Sequence, residues 1–219
     1  VASMSSVFNF KLFKPLAPLS ALMAVAFLIS GLVVLVLDLG RPDRLIVAMT
    51  TYNFKSIFAW NIFLYSGFAA ILVVYLWFML DRTVSNYSKP VGVFAFLWRI
   101  ILTTGTGSIF GFLIARDAYG TAILAPLFII MSLLYGTVIY FLLLKVINYF
   151  QDTLMTDEVK DNLRKITIFF LFANLYFLAL YHITNLYISK HYDYEVFILT
   201  AGGIYTIIFW IGQVLIGLL

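Results

Sequence analysis

Acidic and basic side chains occur inside or at the ends of long apolar runs of this sequence. His182 lies within one such run, and Arg116 and Asp117 end another. An ionisable group in an apolar segment is costly and usually serves a substrate or proton path. His182 is therefore a candidate for such a path.

The residue types also limit the redox chemistry of the chain. The sequence contains no cysteine, so it supplies no thiolate for an iron–sulfur cluster, no disulfide and no cysteine nucleophile. His182 and His191 lie near one helix end, whereas a bis-histidine haem in a helical protein needs ligands on facing helices. We therefore expect no haem or iron–sulfur cluster in this chain, and we expect any redox centre to belong to a partner.

The elements that position these residues are predicted to be membrane-spanning helices. Of 219 residues, 63% are hydrophobic and only 11% are charged, and the mean hydropathy is +1.04. A soluble domain typically has about a quarter of its residues charged, so a soluble globular protein is excluded. The net charge of +4 does not indicate nucleic-acid binding, because lysine and arginine accumulate beside membrane spans. The fold class is predicted as all-α, a polytopic transmembrane helix bundle.

Apolar runs divide the chain into six complete spans. A bilayer core about 30 Å thick needs roughly 20 apolar helical residues. Runs of that length are 17–37, 57–80, 91–115, 122–145, 166–188 and 196–219. Residues 1–8 resemble the tail of a further helix, and the last run ends without a polar tail. We therefore interpret residues 1–219 as a single membrane domain that is part of a longer subunit.

The basic residues predict the orientation of these spans. When the joints are assigned alternately to two sides, side one carries eight basic residues: Lys11, Lys14, Arg82, Lys89, Lys145, Lys160, Arg164 and Lys165. Side two carries five: Arg41, Arg44, Lys55, Arg116 and Lys190. The positive-inside rule then places side one in the cytoplasm and side two outside. Four helices thus bring polar groups to the outer membrane face.

Each of these polar residues also has a structural interpretation that the sequence leaves open. Asp38 and Arg41 are typical of a salt-bridge cluster at a helix end. His182 could be a neutral imidazole that is hydrogen-bonded to a neighbouring helix. For Asn174 and Asn185 we favour interhelical hydrogen bonds.

Further polar residues near the spans have two interpretations as well. Trp60 is either an interfacial anchor or part of a binding site. Arg99 either extends its charged end to the membrane interface or belongs to a proton path that includes Asn61 and Thr104. The small residues between Thr103 and Gly111 predict a close helix approach, with a hydrated path as the alternative.

Two segments resemble the NrfD/PsrC family of integral membrane subunits of polysulfide reductase type. In the first, the motif Leu-Asp-Leu-Gly-Arg-Pro at 37–42 ends one span, and Ser56 and Trp60 form a Ser-x3-Trp element that opens the next. The second segment, Gly105 to Gly136, is similar to the family's helix, short polar joint and Pro-Leu-Phe helix start. Arg116, Asp117, Ala125 and Pro126 occupy the matching positions there.

The resemblance implies a quinone site near the periplasmic face of a prokaryotic cytoplasmic membrane. The substrate would be menaquinone or ubiquinone. The partners would be a ferredoxin-like iron–sulfur subunit, which exchanges electrons with the quinone, and a catalytic subunit of unknown type. The chain would thus act in a respiratory chain as one subunit of an oxidoreductase complex rather than as an enzyme by itself.

The candidate roles follow from two-electron, two-proton chemistry on a quinone headgroup. His182 and Asp117 would exchange protons with its oxygens. The residues expected to bind the headgroup, with Trp60 and Tyr181 as flat walls for the ring, are Asp38, Arg41, Trp60, Arg116 and Tyr181.

Two other classes of protein stay open. A structural membrane anchor would need no ionisable residue within its spans, so His182 and Arg99 argue against it. A secondary transporter typically has repeated halves and helices broken near the membrane centre. The sequence has no clear internal repeat and no central Gly or Pro interruption beyond Gly105 to Gly111, which argues against a transporter.

Overall fold

The computed structural model describes residues 13, 15–38, 40–41, 45–51, 53–81, 87–113, 115–150 and 156–218. The chain-order elements are α1 (Ala17–Asp38), α2 (Leu45–Thr50), α3 (Ile57–Leu80), α4 (Ser88–Gly111), α5 (Leu124–Phe150), α6 (Asp157–Tyr187), α7 (Ser189–Val196), a π-helical turn (Phe197–Ala201) and α8 (Ile204–Leu218). The prediction of an all-α fold is confirmed.

Five of these helices are long and apolar enough to cross a membrane. Their apolar segments are Ala17–Leu37, Ala59–Leu80, Ser88–Gly111, Leu124–Phe150 and Asp157–Tyr187. A sixth crossing is present if the bent pair Ser189–Ala201 and Ile204–Gln213 forms one span. The chain is therefore a polytopic integral membrane protein, and its span count agrees with the predicted six. The predicted helix tail at 1–8 lies outside the described residues.

The N-terminal end of α6 differs from its prediction. The helix begins at Asp157 rather than at residue 166, so Lys160, Arg164 and Lys165 lie within a helix and not in a joint. Thr156 Oγ1 accepts the Val159 N–H at 3.4 Å, and acidic residues fill the first helical turn. A side-chain acceptor and acidic residues both stabilise a helix N-terminus, which explains the earlier start.

The prediction of an uninterrupted last span over 196–219 is wrong. α7 occupies the whole predicted joint 189–195, and α8 is bent from the preceding helix by 81° at a break between Ala201 and Ile204. Gly203 has φ +58°, a conformation that residues with a Cβ rarely adopt. Gly202 and Gly203 thus break a span outside the Gly105 to Gly111 run, which was the only interruption expected from the sequence.

The polar groups at this break are hydrogen-bonded. Gly202 N–H donates to Thr206 Oγ1 at 3.0 Å, and the same hydroxyl donates to Phe197 O at 3.1 Å. Trp210 Nε1–H donates to Leu199 O at 3.0 Å. Side chains of α8 therefore satisfy carbonyls that the π-helical turn leaves available, and a broken helix in a membrane needs such compensation.

The chain forms two compact units. Unit 1 consists of residues 1–105 and 140–161, and unit 2 of residues 106–139 and 162–219. In unit 1, α1 packs against α3. The buried core of this unit is Leu28, Phe68, Leu72 and Leu102.

Trp98 joins α4 to α3 within unit 1. Its indole N–H donates to Leu64 O at 2.9 Å. A Cβ on Gly67 would lie only 2.5 Å from Trp98 Cζ2, so the absent side chain makes room for the indole ring. A small residue thus permits close helix packing, as is common between membrane helices.

Small residues and a turn position the site in unit 2. A Cβ on Gly107 would lie 2.7 Å from Ala125 Cα, so the C-terminal end of α4 closely approaches the start of α5. The segment between these helices returns to α4, because Gly120 N–H donates to Phe110 O at 3.2 Å. Gly120 has φ +93°. This turn places the backbone of residues 117–121 beside α6 and α7.

Candidate functional site

The site in unit 2 is formed where α7 folds back on the C-terminal end of α6. Ile188 has extended backbone angles between the two helices, and His191 N–H donates to Ile188 O at 2.9 Å. Positions three or four apart share a helix face. His182 and Asn185 therefore project from one face of α6, and His191 and Glu195 project from one face of α7.

Glu195 binds both His182 and Asn185 of α6. Its Oε1 forms a hydrogen bond with His182 Nδ1, and its Oε2 accepts from Asn185 Nδ2 at 3.1 Å. Glu195 and Asn185 are each only 1% exposed. A buried carboxylate is tolerated only when it is paired and hydrogen-bonded, and both of its oxygens are bonded here. We call His182, Asn185 and Glu195 the Glu195 cluster.

Two atoms of the Glu195 cluster are buried without a hydrogen-bond partner among the described residues. They are His182 Nε2 and Asn185 Oδ1. The His182 ring is flanked edge-on by Tyr181 at 5.4 Å and by Phe209 of α8 at 5.3 Å between ring centroids. An unsatisfied buried polar atom costs about 1 to 3 kcal/mol. The arrangement is that of a histidine whose Nδ1 is fixed by a carboxylate and whose Nε2 can exchange a proton.

Two further side chains bind the turn between α4 and α5. Tyr181 O–H donates to Ala118 O, and His191 Nδ1 lies 2.6 Å from Asp117 O. Because a carbonyl accepts only, Nδ1 of His191 carries a hydrogen. His191 is 4% exposed. The two adjacent carbonyls therefore hold α6 and α7 to this turn.

The structure brings together several predicted site residues of unit 2. Tyr181 contacts the turn that contains Arg116 and Asp117 through Ala118 O, and the His182 ring packs edge-on against the Tyr181 ring. The side chains of Arg116 and Asp117 are exposed. The part of Asp117 that contacts a site residue is its backbone carbonyl, which binds His191.

The predicted residues at the start of α3 belong to unit 1. Trp60 is 48% exposed, and its indole N–H donates to Phe54 O at 2.9 Å, just before its own helix. Asn61 is 8% exposed. Its Oδ1 would lie 3.4 Å from a Cβ on Gly105, so the amide faces the small-residue segment of α4.

The remaining candidates of unit 1 have these positions. The guanidinium carbon of Arg99 lies 5.4 Å from the centroid of the Phe68 ring, a cation–π contact. Thr104 Oγ1 donates to Ile100 O at 2.8 Å within α4. Asp38 ends α1, and Arg41 is exposed. Residues 42–44 of the expected salt-bridge cluster lie outside the described residues.

Sequence reasoning missed Glu195, which fell in a segment predicted as a polar joint. The predicted interhelical hydrogen bond of Asn185 is confirmed, because its Nδ2 donates to Glu195 of α7. The available signal was the four-residue spacing of His191 and Glu195, which places both on one face of a short helix. Neither spacing nor composition indicates that this helix folds back on α6.

The helices and the buried Glu195 cluster define a polytopic membrane protein with an acid–base pair inside one of its units. The sequence matches the family described as "Polysulphide reductase, NrfD" over residues 1–219. The chain therefore belongs to this family of membrane subunits, and the resemblance inferred from the 37–42 and 105–136 segments is confirmed.

Two curated relatives are similar to the chain. The "Hdr-like menaquinol oxidoreductase integral membrane subunit" of Archaeoglobus fulgidus is 30% identical over 136 residues, which cover 62% of this chain and 34% of the relative. A selenate reductase subunit of Mesobacillus selenatarsenatis is 22% identical over 253 aligned residues, which cover 98% of this chain and 59% of the relative. The chain thus spans about a third and about three-fifths of their lengths. No solved structure matches the chain.

Proposed function

We propose that the chain is the quinone-interacting membrane subunit of a respiratory oxidoreductase complex. Family membership supports this proposal, as do the names of the relatives, one a menaquinol oxidoreductase membrane subunit and one a subunit of selenate reductase. The substrate class is a quinone or its quinol, with menaquinone or ubiquinone as the candidates.

The observation that carries the proposal concerns the two ring nitrogens of His182. Glu195 fixes Nδ1, and Nε2 is buried without a hydrogen-bond partner among the described residues. Oxidation of one quinol releases two electrons and two protons. His182 Nε2 accepts a hydroxyl proton, and Glu195 stabilises the imidazolium that forms, because a carboxylate beside Nδ1 favours the charged ring. Asp117 is the proposed second proton acceptor, and Arg116 stabilises negative charge on the quinol oxygen as it loses its proton.

The other candidate residues keep their proposed roles. Tyr181, which packs edge-on against His182, forms a wall for the quinone ring. Phe209 of α8 also packs edge-on against the His182 ring. The contacts of Trp60, Asp38 and Arg41 with a quinone headgroup stay predictions from the sequence. The proposed path for protons includes Asn61, Arg99 and Thr104.

The electrons must leave to another subunit in this proposal. Because the sequence has no cysteine, we propose a ferredoxin-like iron–sulfur subunit as the immediate acceptor and a catalytic subunit of unknown type beyond it. Docking of this subunit at the outer, periplasmic face would bring its cluster close to the quinone site.

The test is quinol turnover by the purified complex. His182→Ala and Asp117→Asn should each lower turnover of decylubiquinol or menadiol by about 10² to 10⁴, the loss typical of a missing general base. Assembly and dye-linked activity of the catalytic subunit should remain.

Thr167→Val is the matched control, because Thr167 lies on the same helix and its Oγ1 donates to the backbone, to Leu163 O at 2.8 Å. It lies fifteen positions before His182, roughly 22 Å along the axis. Normal turnover in the His182→Ala, Asp117→Asn double variant would refute the site assignment.

A further inference from the structure

We propose that Glu195 makes this site selective for the reduced, dihydroxy form of the substrate over the oxidised quinone. The inference rests on the proposed function. Its basis is the direction of each hydrogen bond within the Glu195 cluster, which decides whether the atoms left over are donors or acceptors.

The direction of both bonds follows from the chemistry of the three groups. A carboxylate only accepts hydrogen bonds, so each group bonded to its oxygens must donate. His182 Nδ1 therefore carries the hydrogen that it shares with Glu195 Oε1. Asn185 must turn its NH₂ group toward Oε2, which it contacts at 3.1 Å. His182 Nδ1–H and the Asn185 NH₂ group are thus both directed at Glu195.

The atoms left over are both acceptors. With Nδ1 protonated, a neutral His182 presents a lone pair at Nε2, and Asn185 presents its carbonyl Oδ1. Both atoms are buried and have no hydrogen-bond partner within the described part of the chain. Two donors on the same helices are already engaged, since Tyr181 O–H binds Ala118 O and His191 Nδ1–H binds Asp117 O.

A cluster that presents acceptors distinguishes the two redox forms of the substrate. A quinol has two hydroxyl donors, whereas a quinone has only carbonyl acceptors. A quinol hydroxyl satisfies an acceptor of the cluster, but a quinone carbonyl leaves it unpaired. A site built to bond a hydroxyl rejects the analogue that lacks it. We expect the quinol to bind about tenfold or more tightly than the quinone.

Glu195→Gln tests the inference, because a glutamine amide can donate to Nδ1 and so place the hydrogen of His182 on Nε2. Binding of menadiol and menadione to the purified complex is measured by anoxic equilibrium dialysis. The wild-type complex should prefer menadiol by about tenfold or more, and the variant should show a ratio near one. The Thr167→Val control should keep the wild-type ratio.

If the role of Glu195 is purely structural, the result is different. Glu195→Gln would then weaken the binding of menadiol and menadione equally and leave the ratio of their affinities unchanged. If the Glu195→Gln complex fails to assemble, Asn185→Leu tests the inference instead. Removing Oδ1 should weaken the binding of menadiol more than the binding of menadione. The potential of the bound couple gives an independent measure. A tenfold preference for the reduced form raises it by about 30 mV.

The outcomes also separate this inference from the proposed function. Equal binding of both forms to the wild-type complex, or an unchanged ratio in both variants, would overturn the selectivity and leave the quinone site standing. Failure of both forms to bind, or binding that His182→Ala leaves unaffected, would instead refute the proposed site itself.

Discussion

Units 1 and 2 both carry polar side chains on membrane helices, and Trp98 and Thr103 of unit 1 are hydrogen-bonded differently from the Glu195 cluster of unit 2. In unit 1, the indole of Trp98 donates to Leu64 O and the hydroxyl of Thr103 donates to Arg99 O at 2.8 Å. These donors bind backbone carbonyls. In unit 2, His182 and Asn185 bind a carboxylate and leave two buried acceptors unsatisfied among the described residues.

The difference separates polar residues that hold helices from polar residues that can bind a ligand. A donor bonded to a backbone carbonyl contributes to helix packing in lipid and no longer offers that hydrogen to a ligand. A buried acceptor without a partner costs free energy, and a partly satisfied network is unfavourable unless something completes it. Unit 2 therefore carries the candidate site, and the Trp98 contact in unit 1 is structural.

The largest effect is expected when the carboxylate is removed from the Glu195 cluster. Glu195→Ala leaves His182 and Asn185 without their acceptor, and breaking a buried pair costs about 3 to 5 kcal/mol. The free energy of unfolding, measured by SDS titration in mixed micelles, should fall by this amount. The free energy of unfolding of Glu195→Gln should fall clearly less, because a glutamine side chain can still form hydrogen bonds with His182 and Asn185. A loss below about 1 kcal/mol for Glu195→Ala would show that the cluster is not a buried network.

A change at the helix break should have an intermediate effect and sharpen the comparison without altering a polar side chain. In Gly202→Ala the new Cβ would lie 2.6 Å from Phe197 O, a backbone atom that cannot move cheaply. Overpacking of this kind costs about 1 to 3 kcal/mol.

Because α8 carries Phe209 against the His182 ring, quinol turnover by Gly202→Ala should fall together with stability. Gly136→Ala is the control, since nothing lies within 4 Å of its Cβ position. Equal turnover in the two variants would mean that the bend does not position the site.

The smallest effect is expected in unit 1. Trp98→Phe removes the hydrogen bond to Leu64 O but keeps an aromatic ring, and such bonds in membranes are worth about 0.6 kcal/mol. The free energy of unfolding should fall by roughly this amount while quinol turnover stays unchanged. A tenfold loss of turnover would break the comparison, because it would assign a functional role to a residue bonded only to backbone.

Much of the fold could be predicted because span length and hydropathy follow from the lipid solvent. The starts of α1, α3 and α5 lie within two residues of their predictions. Errors arose where local chemistry overrides hydropathy. The charged first turns of α6 are helical because Thr156 and acidic residues stabilise them. The bend at Gly202 and Gly203 interrupts an apolar run that hydropathy treats as continuous.

The candidate site was less predictable than the fold. His182 and Tyr181 were identified because ionisable and aromatic groups stand out in an apolar helix. Glu195 was missed because its partner lies across a fold-back at Ile188, and the extended backbone of a single apolar residue has no strong sequence signature. The contact of Asp117 through its carbonyl was equally unpredictable, since a backbone contact leaves no trace in residue type.

The hydrogen bonds at the helix break also determine how the backbone exchanges with water. A break in a helix is ordinarily a place where amide hydrogens exchange rapidly, because they lack acceptors. Here the Gly202 amide is held by Thr206 Oγ1, and the Phe197 and Leu199 carbonyls are held by side chains of α8. The bend is consequently a fixed corner rather than a hinge, and its amide at residue 202 should exchange as slowly as those of an unbroken helix.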